Sequence, residues 1–242
     1  MTTTFRSTTA AVPGTDAVPS AHHEAVPAAA RGGNRWPLFG LAGAVAGFAS
    51  VMVTIPDVTE AQARRGISVV DQLESGSYRV GFLLGLVSVG CLLVAAAGWR
   101  RWAEERAPGD LAARTVGQGL AVTATVNVIF TGIMGAMAIY LPGGSDAGLV
   151  SRQHVFTNFV LLDFGSLLGW WGAAASAVAV AVLAFRRPGL LPRWMGVVSV
   201  LLLLPPVALA VLTGLPGFVG LTLPIWLAVV SIGMATSRRA RA

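Results

Sequence analysis

Six apolar runs, each about twenty residues or longer and almost free of charge, constrain this chain more than any other feature. A run of that length matches a helix crossing the roughly 30 Å hydrocarbon core of a bilayer. In hydrocarbon, a helix satisfies every backbone N–H and C=O within its own segment. The runs cover about residues 37–55, 80–99, 116–141, 156–185, 195–213 and 218–236. They predict an all-α fold, a polytopic membrane protein built as a six-transmembrane-helix bundle. Composition agrees: 55% of the 242 residues are hydrophobic and 12% are charged, against about 25% charged in a soluble domain.

Charge sets the orientation. Arg100-Arg101, Arg186-Arg187 and Arg238-Arg239 close the second, fourth and sixth runs, and arginine collects on the cytoplasmic side of membrane proteins. The outward runs end instead at Ile55-Pro56, Leu141-Pro142 and Leu215-Pro216, where proline cannot continue a helix without strain. This arrangement places thirteen arginines inside and four outside (Arg64, Arg65, Arg79 and Arg152), so both termini are expected to be cytoplasmic. All 17 basic residues are arginines, giving a net charge of +6. Their position at run ends predicts a bilayer with anionic headgroups as the electrostatic partner. No basic stripe interleaved with aromatics is present, so the sequence argues against nucleic-acid binding. Arginine-only, Ala/Gly/Val-rich usage points to a GC-rich bacterial genome and hence to multi-pass insertion in a bacterial cytoplasmic (inner) membrane.

Residues 1–34 are rich in Thr, Ala and Pro and poor in large apolar side chains, which predicts a disordered cytoplasmic tail suited to tethering or docking. The tail lacks the continuous apolar stretch of a signal peptide. Residues 35–236 form the expected six-helix transmembrane domain and 237–242 a cytoplasmic C-terminal tail. Between the first two runs, Thr59 and Gln62 make a capping box, while Ala63, Ile67, Val70 and Leu73 recur at helical spacing. They predict a short amphipathic helix that caps the bundle or lies on the outer membrane surface. Gly40, Gly43 and Gly47 supply small positions for close helix contact. The long fourth run implies a tilt or kink. Pro205-Pro206 should bend the fifth, which with the sixth should form a tight antiparallel hairpin.

Asp163 is the only acid well inside an apolar run, and therefore leads the candidate site residues. An ionised carboxylate in hydrocarbon is expensive, so it should face the bundle interior or a wet cavity, or hold a proton. Thr123, Asn127 and Thr131 recur every four residues and share one helix face; Ser88 and Ser166 complete the expected intramembrane polar cluster. Two roles fit it: a proton or cation site centred on Asp163, or hydrogen-bonded glue that fixes helix register. Trp170-Trp171 and Trp226 lie near mid-run and are expected to be buried in the bundle or to face lipid, with core packing the default; Cys91 is expected as a small core residue. With one cysteine, and with its three histidines (His22, His23 and His154) all outside the runs, the chain offers no expected catalytic, cofactor or metal residues. His154 is expected to pair with Asp146 in a solvated loop. Glu104, Glu105 and Asp110 are expected to balance Arg100, Arg101, Arg106 and Arg114.

The segment Leu190-Leu191-Pro192-Arg193-Trp194-Met195-Gly196 resembles the entry to span five in the bacterial six-span proteins of domain-of-unknown-function family 4386. The Ala/Gly-rich Gly40 to Gly47 and the motif Pro224-Ile225-Trp226-Leu227 are similar to the same pattern. The resemblance implies six-span topology and brings no activity with it. The leading functional expectation is a non-catalytic scaffold or accessory protein with a protein partner at its cytoplasmic loops or tail. A small proton- or cation-coupled transporter using Asp163 is the alternative, and a membrane enzyme the third.

Overall fold

The computed structural model describes residues 35–55 and 66–237. The N-terminal tail, the Thr59 and Gln62 capping box, and the third arginine pair lie outside the described residues. Within them every regular element is helical: α1 (Trp36–Thr54), α2 (Ser75–Arg106), α3 (Leu111–Tyr140), α4 (Arg152–Leu168), α5 (Trp171–Arg186), α6 (Arg193–Thr213) and α7 (Val219–Thr236). Two 3-10 turns, Gly66–Gln72 and Pro216–Phe218, complete the order. Counting α4 and α5 together as Arg152–Arg186, six helical segments are long and apolar enough to cross a membrane.

Local chemistry sets the ends of these helices. The Asp110 carboxylate accepts from Ala113 N at 3.1 Å and caps α3, meeting one of the donors a helix start leaves unpaired. Ser151 does the same for α4 through His154 N. Pro37 occupies the first turn of α1, where its missing N–H costs no helical bond. Gly214 ends α6 with φ +71°, a left-handed conformation that glycine adopts without a Cβ penalty. α6 continues as helix across Pro205-Pro206.

α2 packs along both α1 and α3; α3 also meets α5, and α7 is held between α1 and α6 while touching α5. Small residues permit these approaches. A Cβ on Gly172 would fall 2.5 Å from Gly119 O, so α3 and α5 meet backbone to backbone. One on Gly43 would lie 3.3 Å from Leu92 N, so α1 and α2 also approach closely, though less so. Trp99, Trp170 and Trp226 fill the core with Leu92, Leu120 and Leu183. At the arginine end, Trp36 meets Trp99 edge-on at 5.8 Å and Trp99 lies 5.0 Å from Trp102. Trp99 Nε1 donates to Ala113 O at 2.8 Å, and Arg187 pairs with Asp110 at 3.1 Å. The outward surface is apolar, with Leu83, Val87, Leu201, Leu204, Val211 and Leu212 all exposed.

The helices continue past the apolar limits, α2 at both ends of 80–99 and α3 ahead of 116. The fourth run is interrupted at Gly169-Trp170, a discontinuity of the kind its length implies. One expectation is corrected. The described part of the amphipathic segment is a 3-10 turn rather than an α-helix, in keeping with the β-branched Ile67, Val69 and Val70. It buries Val69, Val70 and Leu73 while Ile67 stays exposed. Val70 and Leu73 join Tyr78, Met137, Leu141 and Leu162 in a second apolar cluster, so this turn caps the helices beneath it.

Candidate functional site

α1 and α2 are fastened reciprocally. Ser50 on α1 donates to Gly81 O of α2 at 2.7 Å, and Ser88 on α2 donates to Gly43 O of α1 at 2.8 Å. Between these two bonds the helices enclose, with α3 and the α4–α5 junction, a cavity of about 20 Å³, enough for one water molecule. Glycines make the space. A Cβ on Gly85 would lie 2.5 Å from Thr131 Oγ1, and one on Gly47 would lie 2.7 Å from Ser88 Oγ and 2.6 Å from the Trp170 ring.

The lining is rich in lone pairs. Ser50 and Ser88 spend their protons on the carbonyls above, and Ser166 donates to Leu162 O at 2.7 Å, so all three oxygens meet the cavity as acceptors. The buried Thr131 hydroxyl also lines it and is not hydrogen-bonded among the described residues, and the same holds for the Asn127 amide. Asn127 Oδ1 fills the space beside Gly169, at the break between α4 and α5. The arrangement suits a hydrogen-bond donor such as a water molecule, and among the described residues no carboxylate borders it.

Of the six residues expected to cluster, Ser88, Asn127, Thr131 and Ser166 are brought together at this cavity. Thr123 is buried one turn beyond Asn127 along α3, donating to Gly119 O at 3.0 Å. Asp163 is exposed on α4 instead of facing the interior. Leu162 and Ser166, one turn apart and both buried, occupy the inward face, and Asp163 lies about 100° further round from Leu162. The buried Tyr78 phenol is within electrostatic reach of its carboxylate. Ser50 was missed. With Gly43 and Gly47 it forms a small-residue stripe at helical spacing, which is the signal that marks a close helix contact.

Other expected placements divide. Trp170 and Trp226 are buried, whereas Trp171 is exposed. Trp226 Nε1 donates to Ser199 Oγ at 2.8 Å. Cys91 is only partly buried. His154 Nδ1 bonds Ser151 Oγ at 2.8 Å rather than pairing with Asp146. Glu105 does pair with Arg101, at 3.2 Å. Among the described residues no group of three or more His, Cys, Asp or Glu side chains is placed to hold a metal ion.

Fold and site together define a helical bundle with membrane-length apolar segments and a small cavity bordered by hydroxyl and amide groups. In comparisons with known proteins, the chain matches no family model, no curated protein and no solved structure.

Proposed function

We propose that this protein is a non-catalytic scaffold or accessory protein, inserted through six helices in a bacterial cytoplasmic membrane with both termini cytoplasmic. The observation that carries this reading is the use of its buried hydroxyls. Ser50, Ser88 and Ser176 each donate to a backbone carbonyl on a neighbouring helix; the Ser176 bond reaches Val116 O at 2.9 Å. Such bonds replace missing hydrophobic driving force between helices in lipid. They serve helix register rather than chemistry. The interior cavity has the volume of a single water molecule, which suits a packed structural core. The apolar outer surface supports lipid contact, and the arginine asymmetry supports the orientation. The six-span layout is also what the resemblance to family 4386 implies.

In this reading the loops and the tail of residues 1–34 engage a protein partner. The full-length protein, purified from its own membrane, should carry a stoichiometric partner that deletion of residues 1–34 releases. Recovery of no partner with the full-length chain would sink the proposal. The transporter alternative draws less support from the geometry, because Asp163 lies on the exposed side of α4 and does not border the cavity.

A further inference from the structure

The arginine end carries two recesses separated by one ridge of α3. The first, between α2 and α3, has a volume of about 270 Å³ and is bordered by Arg100, Glu104, Arg114 and Gln118. The second, of about 630 Å³, follows the groove between α3 and α5, passing Gly119 and Gly172 to reach Val122 and Trp171. Arg114 and Gln118, one helical turn apart, border both recesses. A charged pocket therefore adjoins an apolar groove, the shape of a site for an amphiphile. From Arg114 to Val122 the groove rises about 12 Å at 1.5 Å per residue, within the roughly 15 Å depth of one leaflet.

The charges in the pocket select the headgroup. Glu105 is paired with Arg101 at 3.2 Å and Asp110 with Arg187 at 3.1 Å. Glu104 and Arg114 have no ion pair among the described residues, and both border the recess. Arg100 gives one N–H to Gln118 Oε1 at 3.0 Å and keeps its other donors. Two guanidinium groups and one carboxylate thus share a pocket, ready for a ligand with one phosphate and one ammonium group.

We propose that this surface binds one molecule of phosphatidylethanolamine. Arg100 and Arg114 fork onto the phosphate, the geometry in which arginine binds phosphate best. The primary ammonium donates to the Glu104 carboxylate, and an acyl chain follows the groove past Gly119 toward Trp171. Phosphatidylglycerol would meet the two arginines with its phosphate but has no ammonium for Glu104, and phosphatidylcholine has no N–H to offer it. A second copy of this chain, with its net charge of +6, brings like charge to the pocket. This inference is independent of the scaffold reading.

The test uses the full-length protein in lipid-free detergent, titrated with phosphatidylethanolamine, phosphatidylglycerol or phosphatidylcholine of identical chains. Binding is read by native mass spectrometry and by the thermal shift. Phosphatidylethanolamine should be retained one to one in preference to both others. Arg114→Gln should weaken it about fivefold, the effect of one arginine at headgroup level. Glu104→Gln should abolish the preference over phosphatidylglycerol, while Arg193→Gln, an exposed site outside both recesses, should change nothing. Water-soluble phosphoethanolamine alone should not stabilise the protein. Equal retention of the three lipids, preference of the unaltered protein for phosphatidylglycerol, or equal loss in Arg114→Gln and Arg193→Gln would overturn the assignment. Stabilisation by phosphoethanolamine alone, or a second copy cross-linked over the groove, would overturn it too.

Discussion

Ser50 and Ser88 each reach across to the other's helix, at 2.7 Å and 2.8 Å, so the α1–α2 contact has two fasteners. Side-chain hydrogen bonds inside membrane bundles average about 0.6 kcal/mol and reach about 1.7. Ser50→Ala and Ser88→Ala should each lower thermal stability in detergent by an amount in that range. If neither moves the unfolding midpoint, the hydroxyls are not fastening the helices. Asp163→Asn should leave both accumulation and stability unchanged, because the carboxylate is exposed and serves no buried bond. Normal accumulation with loss of a cellular phenotype would favour the ion-coupled alternative. Asn127 and Thr131 were legible in the sequence because a four-residue spacing places polar groups on one helix face. The depth of Asp163 in its run does not set its direction. The inward face of α4 is set instead by Leu162 and Ser166, and one residue of rotation turns the carboxylate away.

Among the elements, α3 shows both extremes of glycine use. Gly119 lies against Gly172 O, whereas a Cβ on Gly132 would meet nothing within 4 Å. Gly119→Val should therefore force α3 from α5 and cost roughly 1–3 kcal/mol, the usual range for overpacking. Gly132→Ala should stabilise α3 by up to about 1 kcal/mol through helix propensity. Reversible unfolding of both variants in the same detergent checks the pair, and equal effects would contradict the described packing. Span number and approximate limits could be read from the apolar runs, since length and charge decide them. The length of the fourth run implies a tilt or kink, but the position of the break at Gly169-Trp170 could not be read, because no proline marks it. The Asn127 side chain that fills the space beside Gly169 comes from another helix, a contact no local pattern encodes.

At the scale of the whole molecule, the proposed topology makes a direct prediction. Reporter fusions after Arg101 and Arg187 should lie in the cytoplasm and one near Ser145 should not; a reversed pattern would invert the arginine-based orientation. The arginine end also contains a connection between distant parts of the chain. Asp110 caps α3 from within its own turn, yet its ion-pair partner Arg187 follows 77 residues later (187 − 110). The ribosome makes Asp110 long before Arg187 exists, so the carboxylate must serve first as a helix start and only afterwards as a clasp. The clasp can close only once the fourth apolar segment has brought Arg187 back to the end where Asp110 lies, so it marks the assembly of the first four segments while the last two are still to come. A nascent chain halted before Arg187 should leave the Pro108–Asp110 turn open to proteases that the finished protein resists.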